Sequence, residues 1–110
     1  MAVKNLRYAL LFDVYGSMLN EKQSYALEMY YCDDLSLSEI ADNIGITRQG
    51  VRDQIKHAEE ELDNLDARLG LLDKFSKMRA VIEEIEAEAD KNGLYSVKAL
   101  CNRAKQYMEA

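Results

Sequence analysis

Residues 36–57, SLSEIADNIGITRQGVRDQIKH, carry in fixed order the parts of two helices joined by a sharp bend. Ser36 caps the first helix and Glu39, three residues on, reaches back to it, so two amide donors that a helix start leaves unpaired are both satisfied. Ile40 and Ile44 share one face, and Ala41 leaves room for a close helix crossing. Gly45 takes the left-handed backbone that ends the helix, and Ile46 is expected to bury beneath the turn. Thr47 caps the next helix, on which Val51 and Ile55, spaced i and i+4, point inward. Arg48, Gln49, Arg52 and Lys56 fall on its other faces, where they can meet phosphates or base edges. The whole is a helix-turn-helix. Ser-x-x-Glu alone marks only a helix start; the joint spacing of cap, Ala, Gly, second cap and basic helix is what specifies the motif. Such units also serve as protein-docking scaffolds, so the motif does not by itself settle the ligand.

Charge runs against an ordinary strong DNA binder, because the formal net charge is −6. Its distribution is uneven. Segments 1–46, 47–58, 59–92 and 93–110 carry −4, +2, −6 and +2, counting Lys and Arg against Asp and Glu. Positive charge therefore sits on the proposed recognition helix and in the C-terminal segment, while the acidic surroundings suppress sequence-independent binding. The acidic run Glu59, Glu60, Glu61 reads as a solvated face, or as a device that lets only the start of the recognition helix enter a groove.

The full chain has no Pro and is 48% hydrophobic, and the part outside the motif reads as helix throughout. Leu6, Leu10, Leu11, Val14 and Tyr15 recur at helical spacing over about residues 4–15, with Gly16 as a left-handed cap. Asn20 caps a second helix from Glu21 to about Cys32, whose Tyr25, Leu27, Met29 and Tyr30 supply apolar surface. Tyr8, Tyr15, Tyr25, Tyr30 and Tyr31 could stack on bases, but at these spacings they read as core and rim aromatics. Beyond the motif, Val51, Ile55, Ala58, Leu62, Leu65, Leu69 and Leu72 form a heptad seam, and Gly70 stops that helix. A second stripe, Leu71, Phe75, Met78, Ile82, Ile85 and Ala89, runs to Gly93. A last helix begins at Ser96, with Val97, Leu100, Cys101, Ala104, Tyr107 and Met108 apolar. The expectation is an all-α chain of about six helices, divided into a helix-turn-helix domain over 1–69 and a helical extension over 70–110 that packs on the first part or on a partner subunit. Two long seams exceed what so small a domain can cover, which favours a homodimer that sets two motifs roughly 34 Å apart on one DNA face.

Catalysis lacks its parts: there is one His, no Gly-rich phosphate loop and no nucleophile elbow. Cys32 and Cys101 are isolated and read as buried or half-buried thiols, so no metal site or cofactor is expected. The N-terminal stretch is interrupted by Asp13, Gly16 and Ser17, too soon for a signal peptide or a membrane span; a cytoplasmic protein without membrane insertion is expected.

Residues 19–62, LNEKQSYALEMYYCDDLSLSEIADNIGITRQGVRDQIKHAEEEL, resemble region 4 of bacterial sigma factors, particularly of the small extracytoplasmic-function type. Together with YGSMLNEKQ at 15–23 and LGLLDKF at 69–75, the chain is similar to the YlxM family of Gram-positive bacteria, small helix-turn-helix proteins that resemble sigma region 4. The resemblance implies major-groove contacts by Arg48, Gln49 and Arg52 with Lys56 on the DNA backbone, and a regulatory or accessory part in the signal recognition particle pathway, beside whose genes the family's genes lie. Thr47 and Gly50 complete the set of proposed DNA-facing positions. Gly50 departs from the sigma pattern, costing roughly 1 kcal/mol of helix stability; it reads as a tolerated helix glycine or as a point of close backbone approach to phosphate. No sigma region 2 is expected. The two functional readings are therefore a regulator that binds double-stranded DNA, and a module that binds protein or RNA components of the signal recognition particle pathway without specific DNA binding.

Overall fold

A computed structural model describes residues 4–108. Six α-helices follow one another: α1 (Leu6–Tyr15), α2 (Glu21–Leu27), α3 (Leu37–Ile44), α4 (Arg48–Leu69), α5 (Leu71–Lys91) and α6 (Tyr95–Tyr107). No strand occurs among the described residues. α1 starts later than expected because the Asn5 side chain caps it, accepting from Arg7 N at 2.9 Å. Gly16 is not a left-handed cap. It is right-handed, with φ −53°, and opens a 3-10 turn over Gly16–Met18; a Cβ there would stand 3.0 Å from the Phe12 ring, so close packing is what the position requires. α2 begins with a capping box between Asn20 and Gln23, then widens into a π-helical turn over Glu28–Cys32. α6 starts at Tyr95, one residue before Ser96, and no side chain caps it.

The core of the N-terminal head joins Leu11 and Tyr15 of α1, Ala26, Leu27 and Met29, Ile40 and Ala41 of α3, and Val51, Ile55, Ala58 and Leu62 of α4. The face of α1 differs from the simplest stripe. Leu6 and Leu10 are exposed, and the buried side is Leu11 and Tyr15, supported by Tyr8 and Phe12. Tyr25 is also exposed, and so is Leu69, where the α4 seam runs off the head. Cys32 is exposed, contrary to the half-buried thiol expected, because the π turn carries it out of the α2 face; Cys101 is buried.

Gly70 (φ +61°) stops α4, and α5 does not return along it. α5 packs on α1 at its start and on α6 along its length. The α5–α6 hairpin closes over Ala89 and Cys101 and is fastened along one edge by Lys98–Asp90, at 2.8 Å, and Lys105–Glu86. The shape is correspondingly long. Its radius of gyration is 17.3 Å, against about 13 Å for a compact chain of this length.

Candidate nucleic-acid interface

α3 and α4 form the helix-turn-helix at the head's surface. Ser36 Oγ accepts from Glu39 N at 3.1 Å, and Glu39 Oε1 accepts from Ser36 N at 3.1 Å, so the capping box closes in both directions. Those bonds also hold the Glu39 carboxyl below the usual glutamate range. Ile40, Ala41, Val51 and Ile55 are buried and Ile44 is half-buried, which fixes α3 across α4. Gly45 is left-handed (φ +73°), and its amide and that of Ile46 both donate to Ala41 O, at 2.9 and 3.2 Å. An L side chain at such a φ is strained by roughly 1–2 kcal/mol, which is why glycine occupies the bend.

Ile46 does not bury beneath the turn; it remains 39% exposed. Its side chain lies over Gly50 instead, where a Cβ would meet Ile46 Cδ1 at 3.3 Å and Thr47 Oγ1 at 3.2 Å. Thr47 caps α4 by accepting from Gly50 N at 3.0 Å. Gly50 is thus the third residue of α4, within the capped first turn, and the space over it is taken by Ile46.

Arg48, Arg52 and Lys56 are all exposed, and their four-residue spacing sets them on one ridge of α4. Among the described residues, none forms an ion pair with any of the three, whereas Lys4, Arg7, Lys77, Lys98 and Lys105 each meet a carboxylate. Like charges on adjacent turns cost a few tenths of a kcal/mol each. The first turn of α4 has no acidic residue to offset them or to answer the positive end of the helix dipole. A ridge so built attracts an anion such as phosphate. Gln49 is less free: its Nε2 donates to Asp53 Oδ1 at 3.0 Å, a bond it must exchange to meet a base.

Further along the same flank α4 turns acidic, and there the carboxylates are occupied from within. Tyr31 Oη donates to Glu59 at 2.6 Å, Tyr8 Oη to Asp63 at 2.8 Å, and Tyr15 Oη to Asp66 at 2.7 Å; Arg7 pairs with Asp63. Glu59 is consequently half-buried, so only Glu60 and Glu61 of that run form the solvated face expected. Burial raises the Glu59 pKa, with the Tyr31 hydrogen bond acting against the rise. Burial and the bond to Glu59 together push the Tyr31 hydroxyl far up, so it stays a donor. For Asp63, burial works against the charge, but the hydrogen bonds from Arg7 and Tyr8 prevail and lower its pKa. Tyr8 and Tyr31 are thus half-buried rim groups and Tyr15 a core residue, and together they tie α1 and the π turn to α4.

The π turn adds a fastening that no sequence signal foretold. Lys4 Nζ donates to Tyr30 O at 2.6 Å and Leu35 O at 3.0 Å, meets Asp34 at 3.1 Å, and lies 4.1 Å from the Tyr30 ring centroid. It thereby ties the π turn, through Tyr30 O, to the residue just before the α3 cap, through Leu35 O.

No helix among the described residues is long and apolar enough to cross a membrane. Curated relatives share this chain over most of its length. A UPF0122 protein of Shouchella clausii is 39% identical over 107 residues, 96% of this chain and 98% of its own. One from Halalkalibacterium halodurans is 42% identical over 91 residues, 83% of this chain and 84% of its own. One from Listeria welshimeri is 40% identical over 91 residues, 83% of each. Residues 2–109 match the UPF0122 family, described as "Putative helix-turn-helix protein, YlxM / p13 like", and the chain belongs to that family.

Proposed function

We propose that this protein is a non-enzymatic, cytoplasmic regulator that binds double-stranded DNA through the first turns of α4. The observation that carries the reading is the exposed ridge of Arg48, Arg52 and Lys56, without a carboxylate partner among the described residues, directly after the left-handed bend at Gly45. In this reading Arg48, Gln49 and Arg52 face base edges, Thr47 and the Gly50 backbone lie against phosphate, and Lys56 contacts the DNA backbone. Residues 1–69 form the binding domain, and the extension over 70–110 supports a homodimer. Two weak, acid-flanked motifs then act together on one duplex. The resemblance to the YlxM family points the regulation at the signal recognition particle pathway.

Selection of bound fragments from genomic DNA, at stated salt, tests the reading. The expected result is a recurring sequence whose preference over random DNA falls in Arg52→Ala. Recovery of no preferred sequence rejects specific DNA binding and favours a module that binds protein or RNA components of that pathway.

A further inference from the structure

The α5–α6 hairpin has two unlike sides. On one, Lys98 and Lys105 reach across to Asp90 and Glu86. On the other, Met78, Val81 and Ile85 of α5 are 52%, 55% and 45% exposed, and Leu100 and Tyr107 of α6 are 57% and 81% exposed. For two antiparallel helices, the helical phase of these positions relative to buried Ala89 and Cys101 sets all five on one face, opposite the ion-paired edge. Single exposed apolar side chains need no explanation; a continuous row on one face does.

The charges on that face say what covers it. Lys74, Met78, Val81, Ile85 and Glu88 follow steps of four, three, four and three, a heptad seam separate from the one that meets α6. Val81 is its midpoint. Lys74 and Glu88 stand seven residues to either side, and Met78 and Ile85 three and four, so an antiparallel copy brings Lys74 onto Glu88, Met78 onto Ile85 and Val81 onto itself. Between an acidic first turn (Asp73) and a basic last residue (Lys91), charge within α5 is segregated: Lys74, Lys77 and Arg79 lie in its first half, Glu83, Glu84, Glu86, Glu88 and Asp90 in its second. Two antiparallel copies set each half against its opposite. Among the described residues, neither Lys74 nor Glu88 has an ion-pair partner, although Lys77 is paired with Asp73.

We infer that a second copy of this chain covers this face, with its α5 antiparallel to the first about a two-fold axis at Val81. The inference rests on the homodimer reading above and names its surface; Leu100 and Tyr107 of each copy flank the central pair. An isologous contact of this kind is self-complementary, as the equal seven-residue spacing of Lys74 and Glu88 about Val81 requires.

Sedimentation velocity of the full chain tests it. Val81→Asp should shift the protein from dimer to monomer with unchanged circular dichroism, because the side chain is exposed in the single chain. Lys74→Glu and Glu88→Lys should each weaken dimerisation about tenfold, and the double exchange should restore it, since the complementary pairs are recreated. Wild type that stays monomeric at its highest soluble concentration overturns the homodimer reading, and this face with it; that is also the outcome expected if a different protein covers the face. A wild-type dimer that withstands Val81→Asp and both single charge reversals leaves that reading standing and overturns this face alone.

Discussion

The Tyr31 hydroxyl donates a 2.6 Å hydrogen bond to Glu59, joining the π turn after α2 to α4 one helical turn beyond Lys56. Tyr31→Phe leaves a half-buried carboxylate without its donor and should cost about 1–2 kcal/mol in urea unfolding at neutral pH. Glu59 has a raised pKa, so protonation favours the folded state: that stabilisation is complete below the unfolded value of about 4.3 and is lost as pH rises through the folded value. Losing the bond raises the pKa further. The deficit of Tyr31→Phe should therefore narrow as pH falls toward 4, and a deficit independent of pH would contradict this account.

Asp63 carries the opposite sign. Its pKa is lowered, so its contribution is present above the unfolded aspartate value of about 3.9 and is lost as pH falls through the folded value. Asp63→Asn should cost about 1 kcal/mol at neutral pH, a figure discounted for the exposure of the pair. It should cost almost nothing once wild-type Asp63 is protonated. Parallel unfolding curves for the two proteins down to the most acid conditions would contradict the assignment.

Gly50→Ala sets helix propensity against space. Alanine gains about 1 kcal/mol in a helix, offset in part because its Cβ presses on the capping Thr47 Oγ1 at 3.2 Å, while the free end of exposed Ile46 at 3.3 Å can turn aside. A net stabilisation of about 0.5 kcal/mol is expected by thermal unfolding. DNA affinity should nevertheless fall if the backbone at Gly50 lies against phosphate; affinity that stays unchanged while stability rises would assign Gly50 to tolerance alone.

Gly45→Ala should destabilise by about 1–2 kcal/mol, because no Cβ clash arises but the backbone remains left-handed. A neutral result would mean that the bend does not hold its observed φ.

The motif was legible in the sequence because its signals are local: Ser36 with Glu39, Gly45 and Thr47 each act within four residues, and the structure places each of these as read. Gly70 and Gly93 announced their helix ends for the same reason. Ile46 and Gly16 depart from the expectation because a residue's burial or handedness at a turn depends on what packs over it, here Gly50 and Phe12. The Tyr8, Tyr15 and Tyr31 bonds to α4 span 28 to 55 residues of chain, and the Lys4 bonds 26 to 31, so no periodicity could reveal them. Glu59, Asp63 and Asp66 did offer a partial signal, three carboxylates on one flank beside an apolar seam. The spacing of Arg48, Arg52 and Lys56 sets them on one ridge; their exposure, and the lack of ion pairs to them among the described residues, follow only from the fold.

On the proposed function, the ridge on α4 meets DNA. Its most direct test is the affinity of the purified protein for a selected duplex, measured across a salt series for wild type, Arg48→Ala, Arg52→Ala and Lys56→Ala. Each arginine variant should lose about 1–3 kcal/mol of discrimination between selected and random duplex. Lys56→Ala should instead weaken both duplexes alike and reduce the salt slope by about one. Variants that bind both duplexes as wild type does, with the same salt slope, would contradict that contact.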